Sequence, residues 1–361
     1  ERTRENERER EEGRGERGDY RGRKMVGKGG KEVAAAAMLL MVMACGVRAE
    51  AEGDISLQLM GRLYNDDNYL HLDLDPDVYK NFTEIIEGYG YPVEQHTVVT
   101  EDSYVLTVFR IPYGKEGSPG PRPAVFLQHG LLDWSFGWIV NQPIQSLAYI
   151  LADNGYDVWM GNNRGTTYSR NHLKYTTKDR EFWSFTYDQF ARYDLPAMLS
   201  YVTQETGNSH VSYIGHSQGT TQMFAALSEE GPVASMLDLF IGLGPVTTVP
   251  NMEVELIQLL AEKRLPDALL LLGLYQFPGP SPSCLSKLFA DFCAVCPGCC
   301  SNLIMAGCGR NVGAFNDTRL QVVGSHEPGE TSTLNMNHWA QAVRNPTFRK
   351  YDFGPIYNRE F

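Results

Sequence analysis

The strongest structural signal in this chain of 361 residues is the stretch VSYIGHSQGTTQ at positions 211–222. Its first four residues predict a short buried strand, and residues 218–227 predict a helix that follows at once. Gly215-His216-Ser217-Gln218-Gly219 fills the junction and matches the G-x-S-x-G motif in the strand–turn–helix context that this motif requires. The stretch therefore predicts a nucleophilic Ser217 at the tip of a sharp turn.

The residues around this nucleophile fit acyl-transfer chemistry. Gly215 and Gly219 lack a Cβ, so the backbones of the strand and the helix can pass closely. The N–H of Gln218 lies at a helix N-terminus, where it can stabilise a developing oxyanion. We expect a second backbone donor at Leu131, because the strand predicted before it runs into a His-Gly turn. We expect His129 to hold this turn by hydrogen bonds rather than to act as a base.

Strands and helices alternate on both sides of the motif. This alternation predicts an α/β fold, with a mostly parallel sheet that helices cover on both faces. The predicted strands are 97–100, 104–111 (a hairpin with the first), 124–127, 156–160, 211–214 and 237–243, and the predicted helices are 143–152, 191–203 and 218–227. The alternation ends near residue 246. We therefore expect the first part of the α/β core at 81–245, a helical cap or lid at 246–345, and the start of a return to the core at 346–361.

The composition excludes several classes of protein. Hydrophobic residues make up 42% of the chain, which excludes a wholly disordered protein. The 35 glycines follow no three-residue period, which excludes collagen. The net charge of −12 argues against a nucleic-acid partner, because binding to phosphates needs an excess of Lys and Arg.

The first 49 residues have the composition of segments that precede a mature domain. Residues 1–24 are mostly charged, so we expect a disordered or non-native tail there. Residues 25–49 combine lysines, an apolar run and small residues at the −3 and −1 positions, which predicts a secretory signal peptide, with a signal anchor as the alternative. The apolar run is shorter than the ~20 residues of a membrane-spanning helix, so we expect no span beyond the signal segment. Sequons at Asn81 and Asn316 fit glycosylation on this route.

Several longer stretches together resemble the acid lipase family, which includes gastric and lysosomal acid lipases and related steryl-ester hydrolases. They are YPVEQHTVVTEDSYVLTVFRIPYG, QHGLLDWSFGW, SLAYILADNGYDVWMGNNRGTTYS, EFWSFTYDQFARYDLPAMLSYV, YIGHSQGTTQ and NMNHWAQAVRNPTFRKYDFG. The resemblance implies an α/β-hydrolase with a helical cap, acting on triacylglycerol or steryl esters at a lipid–water interface, in a secreted, lysosomal or vacuolar compartment. It also implies Ser217 as the nucleophile, the Leu131 and Gln218 amides as the oxyanion hole, and no metal or cofactor.

The same resemblance raises an expectation about the base. In α/β-hydrolases the acid and the histidine of the triad follow the serine. In the acid lipases they lie beyond the segment that NMNHWAQAVRNPTFRKYDFG resembles. Only His326 and His338 follow Ser217 here, and both fall in stretches that match the cap side of the family. We therefore expect this chain to lack the triad acid and histidine, and we disfavour Asp317 with His338 as a substitute pair. A non-catalytic lipid-binding pseudoenzyme and an acyltransferase stay open as alternatives.

The expected cap region is rich in cysteine, with Cys284, Cys293, Cys296, Cys299, Cys300 and Cys308. The spacing C-x-x-C-x-x-C-C resembles a zinc site, but a secreted chain favours disulfides, so we expect no metal site. The acid lipases carry a cap disulfide and a nearby free cysteine. The pairs 284/293 and 300/308 both resemble parts of that pattern, so the pairing stays open.

Two apolar features each allow two interpretations. The leucine runs at 256–274 fit either a lid that opens onto lipid or an ordinary buried cap helix. Trp134, Phe136 and Trp138 beside the predicted oxyanion loop either line an acyl pocket or pack in the core.

Overall fold

A computed structural model describes residues 74–252, 254–277, 284–295, 297–309, 311, 315–355 and 358. The expected tail at 1–24 and signal peptide at 25–49 lie outside these residues. The described strands are β1 (Glu94–Val99), β2 (Tyr104–Ile111), β3 (Ala124–Gln128), β4 (Asp157–Gly161), β5 (Asn171–His172), β6 (Val211–His216), β7 (Leu237–Leu243), β8 (Gln276–Phe277) and β9 (Thr331–Ser332). The described α-helices are α1 (Phe82–Gly88), α2 (Leu147–Asp153), α3 (Tyr187–Gln189), α4 (Leu195–Thr206), α5 (Gln218–Ser228), α6 (Glu255–Glu262), α7 (Leu265–Leu271), α8 (Cys284–Val295), α9 (Pro297–Cys308), α10 (Leu320–His326) and α11 (Thr333–Arg344).

One mixed sheet forms the centre of the described part. Its strands follow the order β1-β2-β4-β3-β6-β7, and the short β5 pairs with β2. β4, β3, β6 and β7 are parallel to one another, whereas β1 and β2 form the antiparallel hairpin at one side. The predicted α/β fold and hairpin are confirmed. Because the parallel strands share a direction, the residues that follow β3, β4 and β6 meet at one edge of the sheet.

Side chains alternate between the two faces of the central strands, as extended backbone requires. On β3, Phe126 faces a core with α4 and the segment 182–190, while Val125 and Leu127 face a second core with α1 and α2. On β4, Trp159 joins the first core, and its neighbours join the second. Both faces of the inner sheet are therefore covered, which is why these strands are apolar at nearly every position.

The last strand of the sheet differs from the inner ones. β7 pairs with β6 along one edge, and no strand among the described residues pairs with its other edge. The side chains of Leu239, Ile241 and Leu243 are 50%, 39% and 38% exposed and lie on one face. Phe240, on the opposite face, is half-buried against Tyr213. An apolar strand is thus open to solvent on one face of the described sheet.

Two predicted helices begin elsewhere than expected. The helix predicted at 143–152 is a 3₁₀ turn at Pro143–Gln145 followed by α2, because Ser146 is extended and its hydroxyl bonds the backbone of Asn141. The first residues of the helix predicted at 191–203 belong to a π-helical turn at Phe190–Asp194, and the α-helix itself begins at Leu195. Pro196 lacks the N–H that a regular helix would use at this point, which explains the widened turn.

Residues beyond β7 are mainly helical in the described part. α11 packs against α6 and α7, while α10 packs against the 3₁₀ turn Pro76–Tyr79 near the start of the described chain. Buried Arg319, just before α10, holds this second contact through Asp75 and Asp77 at 2.9 and 2.8 Å. None of the described helices combines the length and the apolar composition that crossing a bilayer would require.

Candidate active site

Ser217 lies at the junction of β6 and α5, as the motif predicts. Its backbone angles are φ 49° and ψ −115°, a strained conformation for a residue with a side chain. The Ser217 N–H donates to Leu243 O at 2.9 Å, and Ser217 O accepts from Thr220 N at 2.8 Å. The strained turn is therefore fixed both to the end of β7 and to the first turn of α5. Ser217 itself is half-buried at the carboxyl edge of the sheet.

The two glycines of the elbow sit where a larger residue would clash with backbone. A Cβ on Gly215 would lie 2.8 Å from the carbonyl of Gly219, and a Cβ on Gly219 would lie 2.4 Å from Gln128 O. Both distances are far below van der Waals contact. The close passage of α5 over β3 and β6 therefore depends on glycine at both positions.

The loop after β3 approaches the nucleophile closely. A Cβ on Gly130 would lie 3.2 Å from the Ser217 Cβ, so this glycine faces the serine. Leu132 adopts φ 56°, which turns the loop back over the site. Among the described residues, neither the Leu131 N–H nor the Gln218 N–H donates to any acceptor. Gln218 follows Ser217 in the chain and Leu131 follows the glycine that faces it, so both unused donors belong to residues next to those at the turn.

His129 holds this loop in place. Its Nδ1 donates to Gly130 O at 2.8 Å, and its Nε2 accepts from the Asn163 N–H at 3.2 Å. Burial of the ring lowers the pKa of His129, so the neutral form persists. Both ring nitrogens are occupied by backbone groups, so His129 is a structural side chain and has no lone pair left for the Ser217 proton.

Two glutamines on α5 tie the elbow to other elements through side chains that no motif had marked. Gln222 Oε1 accepts from Asn163 Nδ2 at 2.9 Å, which links α5 to the loop after β4 and, through Asn163, to His129. Gln218 Oε1 accepts from Asn335 and Trp339 of α11. The i, i+4 spacing of the two glutamines is visible in the sequence, but partners more than 50 residues away are not.

No histidine in the described part of the chain hydrogen-bonds to Ser217. His216 is exposed, and its Nδ1 lies 4.0 Å from Asp133 Oδ2. His338 Nε2 donates to Arg349 O at 3.0 Å, its ring stacks on Tyr187, and burial lowers the pKa of His338 to about 4. Asp317 is exposed, unlike the buried His338 with which it would have to pair. No histidine among the described residues is therefore placed to act as a base for Ser217.

The carboxyl groups of Asp133 and Glu327 lie close to each other beside the loop after β3. Asp133 accepts from the Gly130 N–H at 3.3 Å and the Trp134 N–H at 2.8 Å. Burial, with the neighbouring Asp133 carboxylate as a second cause, raises the pKa of Glu327 well above its usual range. The adjacent Gly329 N–H donates to Leu132 O at 2.8 Å. Residues 327–329 therefore contact the loop after β3, and the Glu327 carboxyl among them favours its protonated form.

The aromatic residues beside the loop pack in the core. Trp134, Phe136 and Trp138 are all buried in the second core cluster, and Trp134 Nε1 donates to His326 O at 2.9 Å. The core-packing interpretation is therefore correct for all three. A cavity of about 10 Å³ lies beside the site between His129, Gln218 and Glu330. It has room for one water molecule and not for an acyl chain.

The leucine runs of the cap region are only partly buried. Leu269 faces inward, whereas Leu259 is 48% exposed and Leu271 is 89% exposed. Leu272, next to Leu271, is exposed as well. α6 and α7 are therefore neither fully buried helices nor a continuous exposed face, and features of both interpretations are present.

The described cysteines lie in the helical segment that follows β7. Cys293 pairs with Cys300, a combination that neither expected pattern contained, and Cys299 is disulfide-bonded as well. No group of three potential metal ligands occurs within the described ranges.

Asn81 is exposed at the N-cap of α1, and Asn316 is half-buried with its Nδ2 3.4 Å from Asn141 Oδ1. Neither sequon is enclosed in the core.

Two family models match the chain. One, described as a partial alpha/beta-hydrolase lipase region, matches residues 82–142, and the other, described as the alpha/beta hydrolase fold, matches residues 123–267. Together they span the hairpin, the oxyanion loop and the elbow.

Curated relatives give a longer match. Human gastric triacylglycerol lipase is 43% identical over 295 residues, which are 79% of this chain and 72% of that protein. Human lysosomal acid lipase/cholesteryl ester hydrolase is 42% identical over 287 residues, or 78% of this chain and 71% of that protein. Lipase member K from Homo sapiens is 39% identical over 306 residues, or 82% of this chain and 74% of that protein.

Proposed function

The chain belongs to the family of gastric and lysosomal acid lipases, which are carboxylic ester hydrolases with the α/β-hydrolase fold, and on that premise we propose that it hydrolyses neutral-lipid esters through Ser217. The observation that carries this proposal is the elbow. Ser217 is held at φ 49°, and the N–H groups of Leu131 and Gln218, which we assign to the oxyanion hole, have no acceptor among the described residues. The names of the relatives suggest triacylglycerols and steryl esters as the substrate class.

The proposed reaction is acyl transfer through a covalent intermediate. Ser217 Oγ attacks the ester carbonyl carbon, and its proton passes to a base. The carbonyl oxygen becomes an oxyanion that the Leu131 and Gln218 N–H groups stabilise. The base returns this proton to the leaving alcohol, and water then releases the fatty acid and restores the Ser217 hydroxyl. This chemistry draws on side chains and backbone amides alone, and no described histidine is placed to supply its base.

Two features support a lipid surface as the physical partner. Leu259 on α6 and the adjacent Leu271 and Leu272 at the end of α7 expose large apolar side chains in the cap region. Exposed leucines are costly in water but not at a lipid–water interface. We propose that α6 and α7 contact the surface of a lipid droplet or micelle.

The proposed compartment is the lumen of the secretory pathway, followed by secretion or by a lysosomal or vacuolar lumen. The disulfide between Cys293 and Cys300 fits an oxidising compartment. Asn81 is exposed, so its side-chain amide is accessible to a glycan transferase. We propose that residues 25–49 act as the signal peptide, and that Asn81 and Asn316 carry glycans.

The test is covalent acylation of Ser217 by an activated ester. The chain is incubated with p-nitrophenyl esters of short and long fatty acids, with imidazole in the buffer as an external base, and the peptides are mapped by mass spectrometry. We expect an acyl group on Ser217, formed faster from the longer acyl chains. Ser217→Ala removes this adduct, and Ser228→Ala, at the exposed end of α5, leaves it unchanged.

The same experiment separates the alternatives. A lipid-binding pseudoenzyme is favoured by the observation that the described histidines leave Ser217 without a base. It predicts binding of the ester to a surface or cavity of the protein with no adduct on Ser217. An acyltransferase predicts an adduct that passes to an added long-chain alcohol faster than to water. Acylation of Ser217 followed by release of free fatty acid supports the hydrolase.

A further inference from the structure

Two side chains of helix α11 donate hydrogen bonds to Gln218, the residue that follows Ser217. Asn335 Nδ2 donates to Gln218 Oε1 at 2.9 Å, and Trp339 Nε1 donates to the same oxygen at 2.7 Å. Asn335 and Trp339 are four residues apart, so they lie on one face of α11. Gln218 is 2% exposed and Asn335 is fully buried. The Asn335 hydrogen bond is therefore shielded from water and the Trp339 hydrogen bond is partly shielded, and losing either donor removes a partner of the Gln218 oxygen.

The chemistry of the donors fixes the orientation of the Gln218 side chain. An indole N–H donates and never accepts, so the atom of Gln218 that faces Trp339 is the carbonyl oxygen. Asn335 Nδ2 then bonds the same oxygen and also Thr331 Oγ1 at 3.1 Å. The Gln218 side chain is thus held in a single rotamer, because both groups that face its oxygen can only donate.

α11 is itself anchored to the core and to the neighbouring strands. Ser332 Oγ donates to Phe185 O at 2.5 Å and accepts from the Asn335 N–H at 2.8 Å. The Thr333 N–H donates to Tyr275 O at 2.8 Å, at the start of the β8–β9 pairing. The helix that holds Gln218 therefore has a fixed position, so its two donors can define where Gln218 lies.

We propose that Asn335 and Trp339 are positioning residues for the oxyanion hole. Gln218 is the first residue of α5, and its backbone N–H is one of the two amides beside Ser217. Two hydrogen bonds on the side chain restrain the position of the Gln218 Cα, and with it the direction of that N–H. The inference rests on the proposed function, because it concerns a donor that acts only when a carbonyl oxygen gains negative charge.

The test compares two reactions at position 217, of which only one develops an oxyanion. In a Ser217→Cys background the thiolate attacks without a general base. With a p-nitrophenyl ester, a C–S bond forms, p-nitrophenolate leaves, and the carbonyl oxygen passes through an oxyanion. With iodoacetamide, a C–S bond forms and iodide leaves, and no charge develops on a carbonyl oxygen. Both products are quantified on the peptide that contains position 217.

Trp339→Phe removes the indole N–H and keeps an aromatic ring in place. We expect it to slow acylation about tenfold, a fraction of the loss seen when an oxyanion donor is removed, and to leave alkylation unchanged. Asn335→Ala should act in the same direction. Gln341→Ala on the same helix loses bonds to Asp352 and none to Gln218, so both rates should stay at the value of the Ser217→Cys parent.

The outcomes are distinct. Slower acylation with unchanged alkylation in Trp339→Phe supports the positioning role. Equal slowing of both reactions, or no change in either, overturns it, because a merely structural contact does not distinguish the two. If the thiol of the Ser217→Cys parent is alkylated but never acylated, the oxyanion hole and the proposed function fail together, and this failure is recognised without any α11 variant.

Discussion

At the scale of single residues, Gly219 is the position where one methyl group matters most. Its missing Cβ would lie 2.4 Å from Gln128 O, a backbone atom that cannot move without shifting β3. We expect Gly219→Ala to lower the free energy of unfolding by about 3 kcal/mol, with Tm falling by roughly 5–10 °C. Thermal unfolding followed by circular dichroism measures this change.

Gly231→Ala is the matched control for that substitution. No heavy atom lies within 4 Å of the position that its Cβ would take. Its Tm should stay within about 1 °C of the wild-type value, since nothing is displaced. A Gly219→Ala protein as stable as Gly231→Ala would contradict the close passage of α5 over β3.

We expect the ionisation of Glu327 to make the free energy of unfolding depend on pH. Burial raises the pKa of this carboxyl, so the folded state favours its protonated form. The stabilisation is fully present below about pH 4, and it is lost as the pH rises through the folded-state pKa. Glu327→Gln keeps the shape without the charge. We expect equal Tm values at pH 4 and a Tm roughly 5 °C higher than wild type at pH 8.

A buried histidine contributes the opposite trend and does not disturb this comparison. Burial lowers the pKa of His338 to about 4, so its contribution is lost as the pH falls from about 6.5. That loss is the same in wild type and Glu327→Gln, and it cancels in the difference between them. Glu116→Gln, at an exposed site, serves as the control. A Tm difference that is constant from pH 4 to pH 8 would show that Glu327 does not titrate with folding.

The local structure around Ser217 was predictable from the sequence, because the strand, the turn and the helix start are adjacent in the chain. The elbow needs a serine, two glycines and a helix start within five residues, and all of them are adjacent in the chain. The hydrogen bonds from Asn335 and Trp339 to Gln218 join residues 117 and 121 positions apart. No periodicity or motif reports such a pair, because the fold and not the local sequence brings the two helices together.

At the scale of elements, β7 is the strand whose environment differs most from that of its neighbours. Leu239 and Ile241 are 50% and 39% exposed on one face of a strand that has an unpaired edge among the described residues. Exposed apolar strands promote association of one molecule with another. We expect the double variant Leu239→Lys/Ile241→Lys to stay soluble at concentrations where the wild type scatters light.

An isolated apolar residue provides the control for this prediction. Leu173 is 70% exposed beside the two-residue strand β5, away from β7. Leu173→Lys adds one positive charge, half that of the double variant, without changing the β7 face, so light scattering should match that of the wild type. If Leu173→Lys improves solubility as much as the β7 variant, net charge and not the strand is responsible.

Element boundaries were predictable except where side chains compete with the backbone. β2 and β7 have the bounds that the apolar runs predict. α2 starts four residues later than expected, because the Ser146 hydroxyl bonds Asn141 and keeps the chain extended. The disulfide between Cys293 and Cys300 was not predictable, because several spacings in the cysteine-rich segment were equally compatible with a bridge.

At the scale of the whole molecule, the described chain combines a complete elbow with a polar framework that ties it to distant elements. Gln222 and Asn163 connect α5 to the loop after β4, and Gln218 connects α5 to α11. The start of α5, next to Ser217, is therefore tied to two other elements of the described chain. Catalysis by such a site depends on this preorganisation and on a base for the serine.

Labelling of Ser217 by a fluorophosphonate is the decisive measurement for such a site. Without added base, we expect the chain of 361 residues to label slowly, because the described histidines form other contacts. With imidazole, labelling should accelerate at Ser217 and be absent in Ser217→Ala. Rapid labelling without imidazole would contradict the inference that no described residue acts as a base for Ser217, and no labelling at Ser217 with imidazole would contradict its role as the nucleophile.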